Sequence, residues 1–152
     1  MRNEKGKKQL QGFSLSEIVL TIALLLTIGA FLFPTSVGNL QKNKVKEYAS
    51  QIVTDIRYQQ QRARYKNIPT GVYFRGGEYT LFDGESFASG TEKDTKTLPN
   101  NINIPNFSLT NGNSVLFPAG EFRPNSYGYI VIGTIGYSTR VNVNMEGVIE
   151  SD

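Results

Sequence analysis

The chain has 152 residues, which suits one modest domain with an additional segment rather than two full domains. It contains neither cysteine nor histidine, which excludes disulfides, thiol chemistry, the usual zinc sites and every nucleophile–histidine pair. The net charge of +3 lies entirely in residues 1–12, where four basic side chains accompany one acidic side chain (4 − 1 = +3), and the other 140 residues carry 12 of each sign.

A long apolar segment follows this basic leader. Residues 13–33 are 21 residues long with Glu17 as their single charge, and about 20 apolar residues suffice for a helix to cross a bilayer. A cleavable secretory signal has a shorter apolar region and a small-x-small cleavage site, for which Ser36-Val37-Gly38 is a poor candidate. A secretory signal and a plain membrane anchor are both alternatives here, and neither explains the carboxylate.

The junction Gly12-Phe13-Ser14-Leu15-Ser16-Glu17 resembles the class III leader of type IV prepilins and pseudopilins. The resemblance implies that a membrane prepilin peptidase cleaves between Gly12 and Phe13 on the cytoplasmic side and that Phe13 is then N-methylated. Leu15 belongs to the same leader motif. Pro34 lies where many family members have a proline that bends the transmembrane helix.

Glu17 is predicted to control assembly. An unpaired carboxylate in hydrocarbon costs about 3 kcal/mol or more, but cleavage would create a cationic amine on Phe13 at nearly the same depth. Glu17 of one subunit can then pair with the amine of its neighbour, and a buried pair of this kind specifies register more than it adds stability. The alternative is a side chain that reaches the membrane interface unaided.

Residues 35–67 are predicted to form an amphipathic stem helix. Asn67-Ile68-Pro69 ends it, because the residue before proline disfavours helix. Residues 42–66 carry seven Lys or Arg side chains and two acidic ones, Glu47 and Asp55. We interpret this charge run as a solvated helix face, and the alternative is a surface for docking or for binding a polyanion. The apolar stripe recurs at three- and four-residue spacings and consists of Val45, Tyr48, Ala49, Ile52, Val53, Ile56 and Ala63.

From Thr70 onward the apolar pattern changes to period two, which predicts an antiparallel β head over residues 68–152. Arg75-Gly76-Gly77-Glu78 indicates a hairpin turn, residues 83–100 a polar surface loop, and Pro105 an edge strand or a bulge. The fold class is therefore α+β, with a long N-terminal helix packed on a C-terminal antiparallel sheet. Further strands are predicted at residues 102–109, 114–122, 128–135 and 138–151.

Residues 114–150 resemble the carboxy-terminal half of GspH/FimT-like minor pseudopilins. Phe117, Pro118 and Gly120 match the residue types of a strand that ends in Phe-x-Pro-x-Gly, although the spacing differs because Pro118 follows Phe117 directly. Gly147 matches the terminal glycine. The alternative is that these are generic hairpin residues. Some FimT-like members bind DNA, and a basic Gly-Arg-x-Arg tail is implicated in that binding; this chain has Gly147-Val148-Ile149-Glu150 instead. Residues 67–152 hold five basic and nine acidic side chains (5 − 9 = −4), so DNA binding is disfavoured.

The sequence predicts no enzyme, cofactor or metal site. The carboxylates of Asp83-Gly84-Glu85 and Glu92-Lys93-Asp94 lack the spacing of a calcium loop. They are interpreted as solvated turn residues, with weak calcium binding as the alternative.

The resulting organisation has four regions: a leader peptide (1–12), a transmembrane and assembly helix (13–34), the stem (35–67) and the β head (68–152). The resemblance implies a minor subunit of a type IV pilus or type II secretion pseudopilus, held in the cytoplasmic membrane with its head outside before it enters a filament. The implied partners are other pilin or pseudopilin subunits, the prepilin peptidase/N-methyltransferase, an inner-membrane assembly platform and lipid. The alternatives are a pilus-borne DNA-binding subunit and an unprocessed, anchored surface protein.

Overall fold

The computed structural model describes residues 14–152, except for the side chains of residues 31–38. The predicted leader and Phe13 lie outside the described residues. The chain divides between Gly38 and Asn39 into two compact units. The elements in chain order are α1 (Leu15–Lys66), β1 (Thr70–Arg75), β2 (Glu78–Asp83), β3 (Thr91–Thr97), β4 (Asn103–Leu109), β5 (Ser114–Phe117), β6 (Gly128–Thr134), β7 (Tyr137–Val143) and β8 (Ile149–Ser151).

The first unit contains the N-terminal half of α1. Its large apolar side chains are exposed on every side of the helix, nine of them between Leu15 and Ile28. In the part of the chain that is described, no helix combines the length and the apolar character needed to cross a membrane. The helical backbone is continuous at Pro34, and the bend expected there stays a prediction.

The second unit contains the remainder of α1, from Asn39 to Lys66, which is the observed stem. Its apolar stripe is buried as predicted. Val45, Ile52 and Ile56 have no solvent exposure, whereas Tyr48 is only partly buried. The helix ends at Lys66, and Asn67 follows with a φ of 54°, the left-handed conformation that commonly closes a helix. The predicted helix end is therefore confirmed.

The head consists of two four-stranded sheets, with strand orders β3-β2-β1-β5 and β4-β6-β7-β8. Neighbouring strands are antiparallel in both sheets. One hydrophobic core joins the stem stripe to inward-facing side chains of both sheets, including Phe74 in β1 and Ile130 in β6. The predicted α+β class is confirmed, with two sheets where a single one was expected.

Two local predictions from turn and strand chemistry are confirmed. β1 and β2 form a hairpin in which Arg75 pairs with Glu78, and Gly76 between them has a φ of 51°, as the mirror-image hairpin turns require. β4 contains Pro105 and is an edge strand whose register shifts between Asn103 and Asn106.

Three predictions about the head are wrong in detail. Residues 83–100 are not all loop, because β3 pairs with β2 along the edge of the first sheet. β3 has almost no buried side chain, so the apolar alternation that signals a strand is absent from its sequence. The predicted strand at 114–122 ends at Phe117, and the one at 138–151 is divided into β7 and β8 by a turn.

Candidate functional site

The start of α1 carries a reciprocal helix cap that involves Glu17. The Ser14 N–H donates to Glu17 Oε2 at 3.3 Å, and the Glu17 N–H donates to Ser14 Oγ at 3.3 Å. This pair of bonds is a capping box, in which a serine and a glutamate three residues later satisfy two amides that a helix leaves unpaired. The Ser-x-x-Glu spacing is visible in the sequence, where Glu17 was interpreted only as an assembly residue.

The Glu17 carboxylate is exposed to solvent, and its negative charge lies at the end of the helix where the macrodipole favours an anion. Leu15, which belongs to the same junction motif as Glu17, is 82 % exposed. The predicted partner of Glu17, the amine of Phe13, lies outside the described residues. The register role therefore stays a prediction, whereas the capping contact is a feature of this chain.

The residues predicted from the resemblance of the head lie beside the C-terminal part of the stem. Phe117 ends β5 inside the core, and a turn follows in which the Glu121 N–H donates to the Pro118 carbonyl at 3.2 Å. Within this turn the Gly120 N–H donates to the carbonyl of Ala63 on α1 at 3.0 Å. That bond satisfies one of the carbonyls that the end of a helix leaves without an intrahelical donor.

Gly147 meets the same part of the stem through Gln60. The Gln60 Nε2 donates to the Gly147 carbonyl at 2.7 Å and to the Phe122 carbonyl at 2.9 Å. Gly147 has a φ of 84°, and a Cβ at this position would lie 2.6 Å from the Phe122 carbonyl oxygen. The close approach of three segments therefore requires glycine. Gln60 joins the turn after β5 to the turn between β7 and β8.

Sequence reasoning missed two buried glutamines. Gln59 and Gln60 are 2 % and 3 % exposed. The Thr70 Oγ1 donates to the Gln59 carbonyl at 2.8 Å, which joins α1 to the start of β1. Glutamine is usually exposed in folded proteins, so the residue type alone does not predict that these two are buried. Their positions do indicate burial, because both residues continue the helical spacing of the apolar stripe between Ile56 and Ala63.

An ion-pair cluster joins the stem to the first sheet, and it corrects the interpretation of the head carboxylates. Arg62 Nη2 lies 2.5 Å from Asp83 Oδ2 and 2.6 Å from Glu92 Oε2. The hydrogen bond that Arg62 donates to Glu92, ahead of the contacts with Asp83, raises the pKa of Arg62. Asp83 is not a solvated turn residue: its side chain is 13 % exposed, at the end of β2. Glu92 and Asp94 belong to β3.

A second polar cluster is centred on Asp55, which precedes Arg62 on the stem by seven residues, or about two helical turns. The Tyr79 hydroxyl donates to Asp55 Oδ2 at 2.6 Å, and Lys96 Nζ lies 3.3 Å from Asp55 Oδ1. Burial, followed by the neighbouring Asp55 carboxylate, raises the pKa of the Tyr79 hydroxyl. Lys96 and Glu92 thus hold the polar edge strand β3 against the stem by charge rather than by apolar contact.

These contacts describe the packing surface between the stem and the head of one chain. In the described part of the chain no three Asp or Glu side chains converge as metal ligands. The polar groups on the stem instead satisfy backbone groups and counter-charges of the head, which fixes the orientation of the head on the helix.

Two solved structures share this fold. The minor pseudopilin EpsH from the type II secretion system of Vibrio cholerae has a TM-score of 0.59 and 14% identity, over 72% of this chain and 94% of its own. The type IV minor pilin FimU of Pseudomonas aeruginosa has a TM-score of 0.55 and 10% identity, over 72% of this chain and 89% of its own. The pilin-like head fold predicted from the sequence is therefore confirmed. No family model matches the chain, and a search of curated proteins by sequence gives no match.

Proposed function

We propose that this chain is a minor pilin or pseudopilin subunit that is processed, stored in the cytoplasmic membrane and then added to a type IV pilus or type II secretion pseudopilus. The observation that carries the proposal is a stem helix packed on two antiparallel sheets, a fold shared with EpsH and FimU. The same chain has a prepilin-type junction at Gly12-Phe13 ahead of its apolar segment. Its role is assembly and not catalysis.

The membrane stage is proposed from the N-terminal half of α1. Residues 13–34 would span the bilayer with the head outside, and the prepilin peptidase would cleave after Gly12 and methylate Phe13. The exposed apolar side chains from Leu15 to Ile28 support this, since they have no protein partner in the described chain. A bend at Pro34, an assembly platform and neighbouring pilin subunits complete the proposal.

Glu17 is proposed to pair with the amine of Phe13 on a neighbouring subunit. Its capping contact with Ser14 is compatible with this role, because a carboxylate offers about four acceptor positions on its two oxygens. A Glu17 that accepts the Ser14 N–H through Oε2 retains acceptor capacity for a cation. The cap would hold the side chain at the start of the helix, where the partner amine is expected.

The deciding experiment is the intact mass of the protein extracted from its own membranes, together with the sequence of its N-terminal peptide. A chain that starts at N-methylated Phe13 is expected. A chain that retains Met1 would be an unprocessed anchor, and one that starts beyond Pro34 would be a secreted head. Either of those two results would overturn the proposal.

A second candidate function, DNA capture by a pilus-borne subunit, rests on exposed cations of the stem. Lys44, Lys46, Arg57, Arg64 and Lys66 are all exposed, and phosphate contacts from such residues drive non-specific DNA binding. The acidic head opposes it. An electrophoretic mobility shift with the full chain in mild detergent at physiological salt is expected to show no binding, and a salt-sensitive shift would favour this second function instead.

A further inference from the structure

The hairpin between β6 and β7 presents an exposed apolar tip. Thr134 pairs with Tyr137, so the connection is a two-residue turn formed by Ile135 and Gly136. Ile135 is 98 % exposed. Turn positions normally carry Gly, Asn, Asp or Ser, and a β-branched apolar residue held there by a short hairpin buries almost nothing within its own chain.

This tip lies at the N-terminal end of the stem. Ile135 and Gln41 line the same cavity of about 490 Å³, together with the exposed amides of Asn100 and Asn101. None of the nine described residues that line the cavity carries a carboxylate. The surface therefore combines the apolar side chains of Ile135 and Pro105 with uncharged hydrogen-bonding groups.

Basic side chains of the stem lie near this hairpin tip. Lys42 Nζ lies 5.5 Å from the centroid of the Tyr137 ring, the residue that closes the hairpin. Lys44 and Lys46 follow and are exposed. The sequence has no acidic residue between Pro34 and Lys46, although the head as a whole is acidic. We name Gln41, Lys42, Asn100, Asn101 and Ile135 the base patch.

We infer that the base patch contacts an anionic lipid surface, namely the outer headgroups of the membrane that holds residues 13–34. The inference rests on the proposed function, because it needs that segment in the bilayer. Gln41 follows Phe33 by only eight residues in the sequence, so the base patch belongs to the part of the chain that directly follows the segment proposed to enter the bilayer. The polar layer outside the hydrocarbon is roughly 5–8 Å thick, and lysines sense its charge within a Debye length of about 8–10 Å.

The chemistry of the patch fits lipid. An exposed apolar side chain can enter the boundary between headgroups and acyl chains, while basic residues beside it meet anionic lipid. Amide side chains can hydrogen-bond to phosphate and glycerol oxygens. The base of the head would thereby rest on the membrane in the stored subunit and leave it when the subunit enters a filament. A neighbouring pilin subunit is the competing occupant, and the test below separates the two.

The test uses tryptophan, which the chain lacks entirely, so that a single substitution provides a unique fluorophore. The full-length Ile135→Trp chain is reconstituted into vesicles of phosphatidylcholine and phosphatidylglycerol, with and without brominated acyl chains. We expect the emission to fall about twofold in brominated vesicles, because interfacial side chains lie roughly 5–10 Å into the headgroup boundary. Raising the protein-to-lipid ratio should leave this quenching unchanged.

Two matched variants sharpen the result. Tyr65→Trp places the fluorophore on an 81 % exposed residue near the other end of the stem, and its emission should not change. In the Ile135→Trp background, Lys42→Gln, Lys44→Gln and Lys46→Gln together should reduce the quenching in anionic vesicles. Since Ile135 is almost fully exposed, its replacement is expected to leave folding intact, which the near-ultraviolet circular dichroism spectrum checks.

The outcomes separate this inference from the function on which it rests. If the protein floats with vesicles but the Ile135→Trp emission is unquenched, the membrane anchor stands and the lipid contact is wrong. Quenching only at high protein density would assign the patch to a neighbouring subunit. Equal quenching of both fluorophores would mean that the head lies flat, which also overturns the inference. If the protein does not float with vesicles at all, the anchor itself fails.

Discussion

The two halves of α1 share a backbone and differ in what their apolar side chains contact. From Leu15 to Ile28 the large apolar residues are exposed around the helix, whereas Val45, Ile52 and Ile56 are fully buried against the head. The first half carries large apolar side chains on several faces, with Glu17 as its single charge, and the second is apolar only along one stripe. An amphipathic helix buries its apolar stripe within its own domain, whereas a helix with apolar side chains on several faces has no single face to bury.

The comparison teaches that the part of α1 that stabilises the head is separate from the part whose apolar side chains are exposed. The free energy of unfolding of the head depends on the stem, through the apolar stripe and the polar contacts of Gln60, Asp55 and Arg62. None of the described side chains of the N-terminal half belongs to that core. All eight tyrosines lie at residue 48 or beyond, so tyrosine fluorescence reports on the second unit alone.

The largest expected effect compares isoleucines in the two halves. Ile52→Ala should destabilise the head by about 2–5 kcal/mol, because it leaves a cavity in a close-packed core. Ile22→Ala, at a residue that is 53 % exposed, should change the free energy of unfolding by less than about 0.5 kcal/mol. Urea unfolding of both variants in mild detergent, followed by tyrosine fluorescence, measures the difference. Equal destabilisation would contradict the separation.

The next effect tests the polar part of the stem with two consecutive glutamines. Gln60→Ala leaves the carbonyls of Phe122 and Gly147 without their side-chain donor and should cost about 1–3 kcal/mol. Gln61→Ala changes the exposed neighbour and should be nearly neutral. The same urea titration applies to both. If Gln60→Ala is as stable as Gln61→Ala, the two carbonyls find other donors and Gln60 does not join the turns.

A third prediction concerns alkaline pH and Tyr79. Its pKa is raised in the folded state, so its contribution to stability is fully present below the unfolded pKa of about 10 and is lost as the pH rises toward the folded value. The free energy of unfolding should therefore fall by up to about 1.4 kcal/mol per pH unit above pH 10 from this group. Tyr79→Phe should show a shallower decline, measured by urea unfolding at pH 9 to 11.

The control for Tyr79 is Tyr65→Phe, which removes a hydroxyl from an 81 % exposed residue. This variant should keep the alkaline slope of the unchanged protein. Identical slopes in the two variants would show that the burial of Tyr79 does not control the pH dependence.

The features that sequence predicted are those fixed by local chemistry. The stripe from Val45 to Ala63 follows from helical spacing, and the turn at Gly76 and the edge position of Pro105 follow from backbone restrictions of glycine and proline. These properties belong to single residues or short repeats. They do not depend on what packs against them.

The features that sequence did not predict are those fixed by tertiary partners. β3 has polar side chains throughout, and its identity as a strand depends on β2 and on the ion pairs of Glu92 and Lys96 with the stem. The burial of Gln59 and Gln60 depends on carbonyls that are distant in sequence. Of the candidate site, the positions of Gly120 and Gly147 beside the stem become evident only when the turns are brought together.

The smallest expected change in stability occurs at Glu17, in the half of α1 that lies outside the head. Glu17→Gln and Glu17→Ala should both leave the unfolding of the head unchanged within about 0.5 kcal/mol, yet they differ in chemistry. Glutamine can still complete the capping box with Ser14 but has no charge, and alanine has neither property.

Incorporation of each variant into filaments, scored by immunoblot of sheared filaments against total membrane protein, separates the two roles. Loss in both variants would assign the function of Glu17 to its charge and support pairing with the amine of Phe13. Normal incorporation of Glu17→Gln alongside loss in Glu17→Ala would assign it to the cap, and the register role would then be wrong even if the chain is a pilin.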